Sequence, residues 1–176
     1  AFSLSLYNLK AYAYQSTQIR DWWDINVIQK PLINFGEKNN KKILSDLVNE
    51  IISKKPNFVG FSCYMWNIDS FLKISKDLKK KLPSVKILLG GPEIATEYVQ
   101  NSHFDKYAID FCVSGEGELT FSELLQHLEN GKPKIDDIDG LSHRSDTKLP
   151  FTVNAKRKPF KSIAEIPSPF LGGIVD

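Results

Sequence analysis

Residues 86–118 read KILLGGPEIATEYVQNSHFDKYAIDFCVSGEGE and decide the architecture. The stretch holds two short apolar strands, Ile87-Leu88-Leu89 and Phe111-Cys112-Val113. Each runs into glycines followed by acids: Gly90-Gly91-Pro92-Glu93, then Ser114-Gly115-Glu116-Gly117-Glu118. In an open parallel sheet, ligands sit beyond the carboxyl ends of the strands, where the chain turns into the next helix. Glycine there lets a flat or bulky group approach the backbone and allows positive φ. The pattern implies a sheet edge built to hold something large.

Outward from that stretch, helices alternate with strands. Residues 3–15 suit a helix with Leu6, Leu9 and Ala13 on one face, and DINVIQ at 24–29 reads as a short strand closed by Pro31. From 40 to 54, Ile43, Leu44, Leu47, Val48, Ile51 and Ile52 recur at helical spacing. NFVGFSCY at 57–64 is an apolar run of strand length. A helix capped by Asn67 or Asp69 follows, with Ile68, Phe71, Leu72, Leu78 and Leu82 inward, until Pro83 stops it. A strand at 85–89, a weaker helix at 94–101, a strand at 110–114 and a helix at 118–129 ending before Gly131 complete the alternation. It predicts a Rossmann- or flavodoxin-like parallel sheet flanked by helices. Residues 140–144 and 149–155 form a small C-terminal β-hairpin, and the basic, proline-punctuated residues 156–169 a linker. The chain thus divides into an α/β domain at 1–135 and a hairpin with linker at 136–176. The first helix has no strand before it, and the chain opens at Ala1 without Met. The first strand is expected upstream and the chain is read as a fragment of a longer protein.

With 176 residues, 41% apolar and 25% charged, the composition is that of an ordinary globular domain. A formal charge of +2 gives no argument for nucleic acid or a membrane surface. Lys79-Lys80-Lys81 reads as the solvated end of a helix. Cys63 and Cys112 lie in apolar runs, so they read as buried free thiols in a reducing cytoplasm, neither a disulfide nor a metal pair. No signal peptide or bilayer-length apolar run is present. His103, His127 and His143 are scattered and have no nucleophile at suggestive spacing, so no catalytic residue and no metal ligand is assigned. Glu93, Glu116 and Glu118 read either as a carboxylate cluster or as acids favoured at helix N-termini. No G-x-G-x-x-G fingerprint or P-loop occurs. Ser62-Cys63-Tyr64-Met65-Trp66-Asn67 ends the strand before the glycine turns. Its aromatic, thioether and amide groups suit a large planar ligand with amide substituents, or else simply cover the sheet end.

These residues together carry a resemblance. Gly60-Phe61-Ser62-Cys63-Tyr64-Met65-Trp66-Asn67, then Leu88-Leu89-Gly90-Gly91-Pro92-Glu93 and Gly115-Glu116-Gly117-Glu118, resemble the cobalamin-binding domain of B12-dependent radical SAM proteins. Within these, the chain is most similar to the anaerobic magnesium-protoporphyrin monomethyl ester oxidative cyclase type. Ile166-Pro167-Ser168-Pro169-Phe170 resembles the linker into the radical SAM barrel. The resemblance implies cobalamin here, with a [4Fe–4S] cluster and S-adenosylmethionine in a fused downstream domain. It implies that Ser62 and Gly90-Gly91 approach the nucleotide tail. Ser114, Gly115, Glu116, Gly117 and Glu118 would lie beside the corrin or its tail, with Pro92 and Glu93 on the neighbouring turn. Tyr64, Met65, Trp66 and Asn67 would face the lower side of the corrin. The Asp-x-His-x-x-Gly motif of mutase-type modules is missing, so no imidazole from this region is expected on cobalt. The two cysteines are too few for a radical SAM cluster. Two other readings stand beside this one: a cofactor-free module used for docking or substrate positioning, and a stand-alone flavodoxin-like regulator.

Overall fold

The computed structural model describes residues 3–30 and 37–175. Helices α1 (Leu4–Ala13), α2 (Thr17–Trp22) and α3 (Glu37–Ser53) come first. Then follow strand β1 (Phe58–Ser62), helix α4 (Ile68–Lys81), strand β2 (Lys86–Gly90), helix α5 (Thr96–Gln100), strand β3 (Phe111–Val113) and helix α6 (Glu118–Asn130). Strands β4 (Leu141–His143) and β5 (Thr152–Val153) close the sheet. The strands lie in the order β1-β2-β3-β4-β5. The first three are parallel, whereas β4 runs antiparallel to β3 and β5 antiparallel to β4. The hairpin therefore continues the same sheet, which is mixed rather than wholly parallel.

Alternation along the strands sorts the core into two layers. Phe61, Ile87, Leu89 and Cys112 face one side, where Leu47, Val48 and Ile51 of α3 and Leu72 and Leu78 of α4 cover them. Leu88, Phe111 and Val113 face the other, against Leu124 of α6 with Ile138 and Leu141. Both faces of the parallel strands are covered, which explains why they read as unbroken apolar runs. Helices α1 and α2 pack on α6 through Ala13, Ile19 and Leu125.

Several sequence expectations are corrected. Residues 24–29 form no strand; the hydroxyl of Tyr14 donates to Trp23 O and accepts from Ile25 N, so a side chain takes the positions a ladder would need. Pro31 lies outside the described residues. Asn67 precedes α4 but makes no capping bond. Lys79 is not solvated: its Nζ pairs at 2.7 Å with Asp110, which also accepts from Ile87 N at 2.8 Å and meets Lys86 at 3.3 Å. A buried carboxylate persists here because two cations and an amide surround it.

Arg144 is the other buried charge. Its guanidinium donates to the backbone carbonyls of Asp105, Tyr107, Ile109 and Leu149 and lies 4.3 Å from the centre of the Phe151 ring. Burial lowers its pKa from the ordinary value, opposed by the nearby Asp105 carboxylate. It fastens the segment entering β3 to the hairpin. Arg144→Ala is expected to lower stability by roughly 3 kcal/mol in urea titrations, because it orphans buried carbonyls. Arg144→Lys should restore little, since an ammonium cannot span that fork of acceptors.

Candidate functional site

The parallel register sets the ends of the strands side by side, with Ser62 opposite Gly90 and Leu89 opposite Cys112. The turns after β1, β2 and β3 therefore share one rim. The first two are in backbone contact. Cys63 N donates to Gly90 O at 2.6 Å, and Glu93 N donates to Cys63 O at 3.3 Å. Gly91 makes this possible: its φ is 101°, and a Cβ there would lie 2.6 Å from Cys63 O. At Gly90 an added Cβ would meet nothing nearer than Val113 at 3.9 Å. Gly91 is thus required by the fold itself, whereas Gly90 would accommodate a Cβ in ordinary contact with Val113.

The turn after β1 is closed by one side chain. Asn67 Oδ1 accepts from Tyr64 N at 2.8 Å and Asn67 Nδ2 donates to Ser62 O at 3.2 Å. Tyr64 O accepts from both Asn67 N and Ile68 N, which starts α4. Asn67 is only 8% exposed, whereas Met65 is 76% and Trp66 56% exposed. The Tyr64 and Trp66 rings stack 4.8 Å apart with 10° between their planes. The stack is thus exposed on its Trp66 side and half-buried at Tyr64.

The turn after β3 is more open. Gly115 has φ 85° and nothing within 4 Å of where a Cβ would stand. Ser114 Oγ is buried without a hydrogen-bond partner among the described residues. Glu116 accepts from Phe160 N at 2.7 Å, so its carboxylate fastens the C-terminal segment to the rim. Further along that segment Lys156 pairs with Glu97 of α5 at 3.0 Å, holding the Glu97 carboxyl below its ordinary pKa. Arg157 pairs with Glu123 of α6 and donates to Thr120 Oγ1 at 2.7 Å. The Phe160 ring lies 5.6 Å from Tyr12 of α1. Residues 156–160, expected from sequence only as a linker, are strapped across the ends of α5, α6 and α1. Their basic composition was the available signal; their acidic partners lie 34 to 59 residues away in sequence.

The structure thus brings Ser62, Tyr64, Met65, Trp66, Asn67, Gly90, Gly91, Pro92, Glu93, Ser114, Gly115, Glu116, Gly117 and Glu118 to one edge. It gives three of them other work: Gly91 and Asn67 hold backbone, and Glu116 holds the strap. No group of three or more His, Cys, Asp or Glu able to hold a metal occurs among the described residues.

The histidines lie away from the rim turns. His127 Nδ1 sits 2.8 Å from Pro133 O, His103 packs edge-on to Tyr98, and His143 Nε2 lies 3.1 Å from Asp136 without hydrogen-bond alignment. Both cysteines are buried and free. Burial pushes the Cys63 thiol up to about 12 and the Cys112 thiol also well above its ordinary value. A cleft of about 290 Å³ among Trp22, Trp23, Phe58, Lys86 and Leu128 opens at the opposite edge, where β1 and β2 begin. No helix among the described residues is long and apolar enough to cross a membrane.

Comparison with known proteins bears on this rim. Residues 24–125, more than half the chain, match the family described as the B12 binding domain. The chain is 29% identical over 169 residues to the cobalamin-dependent radical SAM methyltransferase TokK of Streptomyces tokunonensis, spanning 96% of this chain and 23% of that protein. It is 33% identical over 78 residues to the anaerobic magnesium-protoporphyrin IX monomethyl ester cyclase of Synechocystis sp., spanning 44% of this chain and 15% of the cyclase. The fold superposes on the apo, SeMet-labelled cobalamin-dependent S-adenosylmethionine radical enzyme OxsB with a TM-score of 0.62 and 16% identity, covering 98% of this chain and 22% of that one. The chain accordingly spans under a quarter of these relatives.

Two outcomes test the rim. Gly91→Ala should destabilise the protein by about 3 kcal/mol through backbone clash and strain, against about 1 kcal/mol for Gly115→Ala, in thermal or urea unfolding. Because raised pKa values keep both thiols neutral at pH 8, neither cysteine should react with a thiol reagent in the native protein, and both should react in urea.

Proposed function

The chain belongs to the B12 binding domain family, and from that premise we propose that its rim carries the cofactor within a longer radical SAM enzyme. Its cofactor is cobalamin. When bound, cobalamin supplies a cobalt centre able to carry a methyl group or change oxidation state. The chain's own residues bind and orient it.

The observation that carries the assignment of residues is the stacked Tyr64–Trp66 pair, exposed at Trp66 and half-buried at Tyr64, beside the Gly115 turn that leaves open space at the rim. Flat apolar side chains match the face of a large macrocycle, and open backbone matches its amide substituents. On this reading Tyr64, Met65 and Trp66 cover the lower face of the corrin and exclude water from it. Ser62, Gly90 and Gly91 border the nucleotide tail, with Pro92 and Glu93 next to it. Ser114 and Gly115 to Glu118 flank the ring or tail. The three histidines of this chain lie away from the rim, so none of them is assigned to cobalt.

Residues 1–135 form the cobalamin-binding unit in this reading, and 136–176 complete the sheet and lead into a fused radical SAM domain. That domain would hold the [4Fe–4S] cluster and S-adenosylmethionine. Cys63 and Cys112, neutral and buried, take no part. Methyl transfer is the better supported reaction for the whole protein, because the methyltransferase TokK aligns with 96% of the chain and the cyclase with 44%. Oxidative ring formation on a porphyrin is the second reading. The family match does not favour a cofactor-free docking module.

The full-length protein, reconstituted with hydroxocobalamin and desalted, should retain pigment and shift the visible corrin bands. A colourless product from folded protein would refute the assignment. A Trp66→Ala variant should weaken corrinoid binding by roughly tenfold while leaving the melting temperature nearly unchanged, since an exposed ring contributes little to folding.

A further inference from the structure

Asn67 stands out among the rim residues because its amide faces inward. At 8% exposure it has little access to a ligand, and both ends of the amide are engaged by its own turn. It sits at the N-cap position of α4 but does not cap that helix, so its hydrogen bonds serve the loop, not α4. One end holds Tyr64 N, the residue whose ring forms the base of the exposed stack. The other holds Ser62 O, the last carbonyl of β1. The preceding residue, Cys63, is already fixed to the β2 turn through Gly90 O and Glu93 N. The turn is therefore clamped at both ends, and between the clamps Met65 and Trp66 are exposed while Tyr64 is half-buried beneath Trp66.

A parallel ring stack between residues two apart requires the backbone between them to hold one conformation. The ring contact cannot supply that restraint by itself, since a stacked aromatic pair is worth only about 1 kcal/mol against the loss of side-chain and backbone freedom. The buried amide can, because freeing Tyr64 N and Ser62 O would leave unsatisfied backbone groups beside the sheet.

We propose that Asn67 is a positioning residue that preorganises the Tyr64–Trp66 platform for the corrin face, rather than a residue that contacts the cofactor. The inference rests on the cobalamin site proposed above. Its consequence is that Asn67 influences cofactor affinity only through the platform.

A double-mutant cycle in the full-length protein tests this, with hydroxocobalamin titrated and followed by its visible spectrum. Asn67→Ala should weaken binding by about tenfold and erase the near-ultraviolet circular dichroism of the Tyr64–Trp66 stack. In the Trp66→Ala background the same change should alter affinity by less than about twofold, because no platform is left to position. Asn67→Asp, which keeps the acceptor for Tyr64 N and loses the donor to Ser62 O, should fall between wild type and Asn67→Ala. It also serves as the probe should the alanine variant fold poorly. Unchanged affinity in either Asn67 variant, or a full additional loss in the Trp66→Ala background, would overturn the proposal while pigmented wild-type protein left the cobalamin reading intact. Wild-type protein that takes up no corrinoid would overturn both together.

Discussion

A contact between two stretches of backbone governs the geometry of this domain. Cys63 lies against the Gly90-Gly91 pair with no side chain between them, donating to Gly90 O and accepting from Glu93 N. A Cβ on residue 91 would overlap the carbonyl of Cys63, and the positive φ there suits glycine alone. With that contact made, the turn after β1 is seated on the turn after β2, and the register carries the turn after β3 alongside. The aromatic pair then projects from a fixed base.

The edges of the sheet are treated differently. Where β2 and β3 begin, charges are buried and fully engaged: Asp110 joins Lys79, Lys86 and Ile87 N, and Arg144 gathers four carbonyls. Such arrangements rigidify because breaking either one leaves a buried charge or acceptor without a partner. At the carboxyl ends the chain instead leaves apolar rings and glycine backbone at the surface, and one serine hydroxyl unpaired. Rigidity on one side and unsatisfied surface on the other is the usual division between scaffold and site. The strap at 156–160, held by Glu97, Glu116 and Glu123, ties the rim to the C-terminal segment.

Much of this was legible beforehand where one periodicity dominated. Helices α3, α4 and α6 and the three parallel strands follow from apolar spacing and from Pro56, Pro83 and Gly131 as punctuation. The segment at 24–29 was misread because its apolar content is strand-like, while the hydroxyl of Tyr14, ten or more residues away, takes the hydrogen bonds a neighbouring strand would have made. Lys79 looked solvated because its partner, Asp110, comes from the entrance to another strand. The backbone contact that Gly91 makes with Cys63 was not legible, because the two residues lie far apart in the sequence.

The sequence by itself determined the composition of the rim: which residue types stand at the ends of which strands, the pattern on which the resemblance to the cobalamin-binding family rests. Local rules suffice there, because apolar runs and glycine turns act over a few residues. Only the tertiary structure decided what each residue does. Whether an amide faces a ligand or its own loop, whether a carboxylate holds a metal or a strap, and whether a lysine meets water or a buried aspartate depend on neighbours brought in from distant positions. Hydrogen bonds and ion pairs reach only a few ångströms, so their partners are chosen by the packing of the sheet and helices.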